Sequence, residues 1–249
     1  MSNEGETARE SARVFVSYSR EDVAFSDELV AALGMQGFTA FIDRHDIDGA
    51  EAWRERLGKL ILSADTVVFV LTEHSARSEM CAWEVEEAVK LGKRIIPVLP
   101  ARMESEIKPP AALAELNYIL CYRDPDHPGS GFVDGVRRLC DALNVDAAWL
   151  REQTRLAERA AAWDARGRPN DLVLRGTELA EFLTWRANTP SAAPDLPTLQ
   201  QDFLDASKAA EADQLERERA ELAERERLLA NSESANARVQ RATRRGVIA

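Results

Sequence analysis

The sequence has few cysteines and no long hydrophobic run. Its three cysteines, Cys81, Cys121 and Cys140, lack CxxC or metal-binding spacing and lie in apolar patterns, where cysteine behaves as a small hydrophobic residue. No apolar stretch approaches the roughly 18 to 20 residues that cross a bilayer, and residues 1–10 are polar and acidic, unlike a secretory signal. These absences predict a cytoplasmic protein in a reducing compartment.

The usual signatures of nucleotide, metal and nucleic-acid binding are also missing. Neither GxGxxG nor GxxxxGK[ST] occurs, so no Rossmann fingerprint or Walker-type loop supports nucleotide binding. His45 and His74 lie in predicted loops without a partner at metal-ligand spacing, so we expect neither a metal nor a cofactor. The net charge of −11 argues against a sequence-wide surface for nucleic acid, which is not expected as a partner.

The 249 residues divide by pattern near residue 145. Before it, β-branched or aromatic runs alternate with helical periodicity, which is typical of an α/β fold with a mainly parallel sheet. The predicted strands are 13–18, 38–43, 66–71, 94–99 and 117–122, and the predicted helices are 22–35, 50–62, 78–91 and 131–143. The pattern therefore predicts a flavodoxin-like, five-stranded parallel sheet.

Two strands carry further information about their place in the sheet. No polar side chain occurs from Val67 to Leu71, so the third strand is expected to be buried on both faces and central. Pro97 cannot donate a ladder hydrogen bond, so the fourth strand is expected to be interrupted or nearer an edge. Ser78 is expected to cap the helix that follows the third strand, and Gly92 to end it.

After residue 145 the strand signals stop, and Ala, Glu, Arg and Leu dominate. Helices are expected at 146–165, from 176 through Trp185, and from 198 to about 231, with a Pro- and Ala-rich linker between the last two. The predicted division is a disordered N-terminus (1–11), the α/β domain (12–144), a helical spacer (145–188), a linker (189–197), and a long charged helix with a basic tail (198–249). The fold class is thus a parallel α/β domain followed by an all-helical extension.

The last predicted helix carries leucines seven residues apart, at Leu215, Leu222 and Leu229. This spacing favours a coiled coil, but charged residues, Arg219 and Glu226, occupy the other core position of each heptad, so the apolar stripe is narrow. A solvated helix held by Glu/Arg pairs is an equal alternative.

Four arginines between 238 and 245 precede the apolar end of the sequence. A basic cluster that meets apolar residues is a common start of a membrane span. We therefore expect that a longer relative or parent chain continues from here and associates with a membrane.

In open parallel sheets, ligands bind beyond the carboxyl ends of the strands, where the strand order reverses. Glu84, on the helix after the third strand, shares a helix face with Met80, Cys81 and Ala88. A buried carboxylate without a partner is costly, so such a residue is paired, neutralised or used chemically. A salt-bridge role is the simpler alternative, because the same helix carries other charged residues, including Glu87 and Lys90.

Four segments, in order and spacing, resemble motifs of Toll/interleukin-1 receptor (TIR) domains, particularly bacterial members. They are Phe15-Val-Ser-Tyr-Ser19 with Asp22; Phe41-Ile-Asp43 with the loop to Gly49 and Trp53; Ser78-x-x-Cys81-x-x-Glu84; and Gly92-Lys-Arg-Ile-Ile-Pro-Val98. The resemblance covers roughly residues 12–144. The family often has a tryptophan immediately before the cysteine, where it contacts the nucleotide, whereas this sequence has Met80.

The resemblance implies cleavage of NAD+ to nicotinamide and ADP-ribose or a cyclised form, because the glutamate of this helix is catalytic in family members that hydrolyse NAD. Glu84 would then be the catalytic residue, and NAD+ the substrate. The implied substrate-binding residues are Ser17, Tyr18, Arg20, Asp43, Asp46, Asp48, Met80 and Cys81. Independently of the family, we expect the Cys81 thiol to pack rather than to react, because apolar neighbours raise a thiol's pKa.

Two function classes remain open. In the first, the protein is a bacterial NAD-consuming effector in defence or stress signalling, activated by self-association of its TIR domains and controlled by a sensor module or partner at its C-terminal helices. In the second, it is a non-catalytic adaptor that recruits similar domains through the loop 43–49.

Overall fold

The computed structural model describes residues 11–43, 50–103 and 107–246. The side chains of residues 50–52, 237 and 239–246 are not described. The predicted disordered N-terminus and the end of the basic tail lie almost entirely outside these ranges.

Five parallel strands form one sheet, which confirms the predicted fold class. They are β1 (Arg13–Ser17), β2 (Thr39–Phe41), β3 (Thr66–Val70), β4 (Arg94–Leu99) and β5 (Ile119–Leu120). The order is β2-β1-β3-β4-β5, so β3 is central, as predicted, and all five of its residues are buried. The strand order reverses between β1 and β3, which places a ligand crevice at their carboxyl ends.

The two faces of the sheet are covered by α1 (Val23–Met35), α2 (Ala50–Ser63), α4 (Glu79–Lys90) and α5 (Phe132–Asn144). Alternate residues of each central strand point to opposite faces. Val14 and Val68 pack with α1 and α5, whereas Phe15 and Val67 pack with α2 and α4. A short helix, α3 (Glu73–Arg77), which the periodicity did not predict, begins at a capping box between Thr72 and Ser75.

Of the two alternatives expected from Pro97, the interruption is wrong and the position nearer an edge is confirmed: β4 lies next to the edge strand β5, whereas β3 is central. β4 is continuous and lies between β3 and β5. The Val98 carbonyl accepts from Leu71 on the β3 side and the Leu99 carbonyl from Cys121 on the β5 side, so the Pro97 nitrogen faces β5. Ile119, the first residue of β5, is opposite Val98, so Pro97 faces no strand residue that needs its missing N–H.

Both ends of α4 are set by the residues that the sequence indicated. The Ser78 hydroxyl accepts from the Cys81 N–H at 3.2 Å and caps the first turn. Gly92 follows the last turn with φ +67°, a conformation that favours glycine and ends the helix.

The C-terminal residues form a second packed region, which we call the helical unit: α6 (Ala147–Ala165), α7 (Gly176–Ala187) and residues 198–210 of α8 (Thr198–Gly246). Its buried core includes Leu156, Trp163, Leu174, Phe182 and Phe203. The segment 189–197, expected to be a linker, contributes the buried side chain of Leu196 to this core. Leu196 is apolar and lies two residues before α8, so burying its side chain holds this segment against the core.

α8 continues to Gly246, beyond its predicted end near residue 231. Residues 212–236 are exposed, and they include the three regularly spaced leucines. Along the described part of the chain, no helix combines the length and apolar character needed to cross a bilayer.

The helical unit packs against the amino-terminal edge of the sheet through polar contacts. Gln153 Nε2 donates to the Gly92 carbonyl at 3.0 Å, and Lys93 Nζ donates to Thr154 Oγ1 at 3.1 Å. Arg13, the first residue of β1, pairs with Glu158 at 3.2 Å. Burial lowers the pKa of Lys93, which is 5% exposed, to about 7.

Replacing Lys93 by methionine tests the cost of this buried amine. The unfolded protein holds the lysine proton up to about pH 10, whereas the folded protein releases it near pH 7, so unfolding takes up a proton between these values. We expect the free energy of unfolding of the wild type to rise between pH 7 and about pH 9.5 by about 2 kcal/mol more than that of Lys93→Met. Denaturant titrations at both pH values measure the difference.

Lys90→Met is the matched control, because the Lys90 amine is exposed and pairs only locally, with Glu87 at 3.1 Å. Its unfolding free energy should follow the wild-type pH dependence. Identical pH dependence in Lys93→Met and Lys90→Met would mean that the Lys93 amine is hydrated in the folded protein.

Candidate functional site

The candidate site centres on Glu84, whose carboxyl lies between α4 and the end of β1. The Ser17 hydroxyl donates to Glu84 Oε2, and Ser17 is the last residue of β1. Both residues are buried, with Glu84 6% exposed. The carboxyl therefore lies at the carboxyl ends of the strands, where the strand order reverses, and does not point into bulk water.

The environment of Glu84 favours its protonated form. Loss of solvation raises the pKa of Glu84 to about 8; the Ser17 hydrogen bond opposes this rise, and the negative charge of Asp43 adds to it. Desolvation is the largest of the three effects. At neutral pH the side chain is mostly a neutral acid, able to donate as well as accept a hydrogen bond.

Asp43 is held by two side chains of α2. Trp53 Nε1 donates to Asp43 Oδ2 at 3.0 Å, and Arg56 pairs with Asp43 Oδ1 at 2.8 Å. The Tyr18 hydroxyl donates to the Asp43 backbone carbonyl at 3.2 Å. These contacts hold the start of the loop after β2 beside the end of β1. They also occupy the Asp43 carboxylate, which the family resemblance implies to be a substrate-binding group.

The structure thus brings four predicted site residues together. Ser17 contacts Glu84, and the next residue, Tyr18, contacts Asp43. The sequence does not predict the contribution of Trp53 and Arg56, because a tryptophan is more simply interpreted as a core residue and Arg56 is one of several charged residues on a helix. A signal is nevertheless present, because residues three apart share a helix face and their donor groups complement an acidic loop.

The remaining predicted site residues have different positions. Cys81 is buried against Phe69 and Leu71, and desolvation, followed by the nearby Glu84 charge, raises the pKa of its thiol to about 12, so it is not a nucleophile at neutral pH. Met80 is 40% exposed on α4, and Arg20 is exposed in a 3₁₀ turn after β1. Asp46 and Asp48 lie outside the described residues.

A cavity of about 430 Å³ lies next to this site, beyond the ends of β1, β3 and β4. Phe25 and Met103 supply apolar walls, while Asp22, Thr72 and Arg102 line it with polar groups. Thr72 Oγ1 donates to Asp22 Oδ2 at 2.6 Å, and burial raises the pKa of Asp22. The cavity lies at the strand ends where the sequence predicted a ligand crevice, but Glu84 does not line it.

The described ranges contain no group of three or more histidine, cysteine or acidic side chains placed to bind a metal ion. Among the described residues, the site presents the Glu84 carboxyl, the Ser17 hydroxyl and the Tyr18 hydroxyl.

Replacing Ser17 by alanine tests whether its hydroxyl holds the Glu84 carboxyl. Without this donor the ionised carboxylate loses stabilisation, so the pKa of Glu84 should rise above about 8, by roughly one unit. Carbon-13 NMR of glutamate-labelled protein measures the titration, with Glu84→Gln identifying the resonance. Ser26→Ala is the control, because Ser26 is equally buried but donates to the Asp22 backbone. A lower or unchanged pKa in Ser17→Ala would contradict this geometry.

Comparison with known proteins gives one family match. The TIR domain family model matches residues 14–140, which is 127 of the 249 residues. None of the curated proteins matches the chain.

Among solved structures, the CMP N-glycosidase BcmB of Clostridium botulinum is 17% identical with a TM-score of 0.37; the match covers 53% of this chain and 99% of that one. The TIR domains of the activated Roq1 resistosome, which directly recognises the pathogen effector XopQ, are 19% identical with a TM-score of 0.32, covering 59% of this chain and 83% of that one. Since the family match runs from the start of β1 well into α5 and spans half of the sequence, the chain belongs to the TIR domain family.

Proposed function

We propose that this TIR domain cleaves NAD+ between nicotinamide and ribose, with Glu84 as the catalytic residue. The observation that supports the proposal most directly is the buried Glu84 carboxyl at the topological switch point, where α/β sheets bind ligands. A buried acid with a strongly raised pKa beside a ligand crevice is a marker of functional sites. NAD+ is the substrate in this proposal and is not a cofactor.

The reaction requires little of the protein beyond one carboxylate. The ribosyl C1′–N bond breaks with its electron pair moving to the nicotinamide nitrogen, so the leaving group is neutral and needs no general acid. The ribose becomes an oxocarbenium-like cation, which an ionised Glu84 stabilises while it binds a ribose hydroxyl. Water then adds to C1′ and releases a proton, giving ADP-ribose; attack by a nitrogen of the adenine gives a cyclic product instead.

The substrate itself supplies the charge that ionises Glu84. In the free protein the carboxyl is mostly protonated at pH 7, because of its burial. The nicotinamide ring of NAD+ is cationic, and a positive charge beside a carboxyl lowers its pKa. Binding therefore favours the carboxylate at the moment at which the reaction needs it.

The surrounding residues would position the substrate. Ser17 orients the carboxyl, and Tyr18 with Asp43 forms the wall beside it. Arg20, exposed after β1, would contact the diphosphate. Met80 and Cys81 would border the nicotinamide side, and Asp46 and Asp48 would belong to the loop that self-association completes. Clustering of TIR domains would therefore switch the activity on, in a bacterial defence or signalling role.

A non-catalytic adaptor is the second candidate. One feature favours it: the Glu84 carboxyl is sealed against Ser17 and does not line the neighbouring 430 Å³ cavity. In this function the domain would serve assembly alone, through the loop 43–49.

Glu84→Gln separates the two functions. Glutamine keeps the size and hydrogen-bonding ability of the neutral acid but cannot ionise, so the fold should persist at pH 7 while nicotinamide release falls by about 100-fold or more. Release is measured by chromatography at protein concentrations that span self-association.

Glu86→Gln is the matched control on the exposed face of α4 and should release nicotinamide at the wild-type rate. If self-associated wild-type protein releases no nicotinamide, the adaptor function stands and the catalytic one does not. If Glu84→Gln retains the wild-type rate, Glu84 is not the catalytic residue.

A further inference from the structure

α4 connects the candidate site to the helical unit. Glu84 lies in the middle of this helix, and Lys90 is its last residue. Six residues of α-helix span about 9 Å along the axis, so a displacement at the end of α4 reaches Glu84 through one rigid element. Glu84 lies near the carboxyl ends of the strands, whereas the end of α4 lies near their amino-terminal ends.

The helical unit contacts Gly92, two residues beyond the end of α4. Gln153 Nε2 donates to the Gly92 carbonyl at 3.0 Å, and the ring of Pro197 occupies the space that a side chain at Gly92 would need. A Cβ at Gly92 would lie 2.7 Å from Pro197 Cδ and 2.8 Å from Pro197 Cγ. Only glycine therefore allows this approach, which also coincides with a backbone conformation that favours glycine.

Beside this contact the interface is polar and only partly satisfied. The buried Lys93 amine donates to Thr154, and it faces Asp65 before β3, Glu158 on α6 and Arg13 on β1. Asp65 Oδ1 is buried without a hydrogen-bond partner among the described residues. Buried groups that are incompletely paired make an interface less stable, whereas the core of the helical unit itself is apolar.

We propose that the helical unit regulates the Glu84 site by gripping the end of α4. Docked, it holds α4 against β1 and keeps the Glu84 carboxyl sealed; undocked, it lets α4 loosen and water reach the carboxyl. Pro197 immediately precedes α8, so a partner that pulls on the exposed part of α8 would act directly on Gly92. This regulation rests on the catalytic role proposed for Glu84.

Undocking increases activity, because burial is the largest contribution to the raised pKa of Glu84. The charged or titratable groups that act on Glu84 are Asp43 after β2 and Cys81 on α4 itself, while Ser17 on β1 supplies the hydrogen bond. Hydration lowers the pKa towards that of an ordinary glutamic acid, so the carboxylate becomes the main form at neutral pH.

Gly92→Ala tests the grip in the full protein. The added Cβ collides with Pro197, so we expect faster hydrogen exchange in α6 and a Glu84 ionisation midpoint lowered by about one pH unit or more. Lowering a pKa of about 8 by one unit raises the ionised fraction at pH 7 about fivefold, and nicotinamide release should rise by the same factor. Exchange is followed by mass spectrometry and ionisation by carbon-13 NMR.

Gly37→Ala is the matched control for backbone strain. Gly37 follows the end of α1 with φ +86°, and no atom lies within 4 Å of the position that an alanine methyl would occupy there, so the substitution adds strain without a collision. It should leave α6 exchange and the Glu84 midpoint unchanged. Pro197→Ala in the Gly92→Ala background removes the two ring atoms that collide but leaves the Asp195 carbonyl oxygen 3.1 Å from the added Cβ, so both measurements should return part of the way to wild type.

Gln153→Ala is a milder second variant, which removes one hydrogen bond of the grip and should shift both measurements in the same direction by less. The regulation is overturned if α6 exchange accelerates in these variants while the Glu84 midpoint stays unchanged, or if neither variant accelerates it. If the midpoint falls but no variant releases nicotinamide, the coupling stands and the proposed NAD+ cleavage fails.

Discussion

The contact between Ser17 and Glu84 is the constraint on which the rest of the site depends. It joins the end of β1 to the middle of α4, at the strand ends where the strand order reverses. An acid in this position is difficult to ionise, and desolvation outweighs the stabilisation that one hydroxyl provides. The same position makes the carboxyl responsive, since any change in its hydration or in nearby charge alters its protonation.

The negative charge of Asp43, which raises the pKa of Glu84, is held by two side chains of α2. An uncompensated carboxylate near Glu84 would make ionisation still less favourable, but Arg56 and Trp53 engage its two oxygens. The ion pair is partly exposed, so its contribution to folding stability is small, about 0–1 kcal/mol. Its more important effect is to fix the loop and Tyr18 beside the candidate site.

Much of the fold could be predicted from local patterns, because they record burial. The apolar run of β3 revealed a central strand, and Ser78 and Gly92 set the ends of α4. Pro97 correctly indicated a strand nearer an edge, but it does not interrupt that strand. Its nitrogen points to the β5 side, and β5 begins only opposite Val98, which the sequence did not show. The contacts of Asp43 with α2 left only a weak signal in the sequence, and the contact of Lys93 with Thr154, 61 residues away, left none, because both depend on tertiary packing.

The helical unit docks on the side of the sheet opposite the candidate site. All five strands run the same way, so one edge of the sheet collects the strand-end loops and the opposite edge collects the strand starts. A regulatory element at the first edge would compete with substrate and with assembly of neighbouring TIR domains. Docked at the opposite edge, through residues before β3 and β4, the helical unit leaves the crevice clear and still contacts the chain just beyond α4. Because α4 carries Glu84 and also ends on this side of the sheet, it is the shortest covalent and mechanical path between the proposed catalytic site and the proposed regulatory contact.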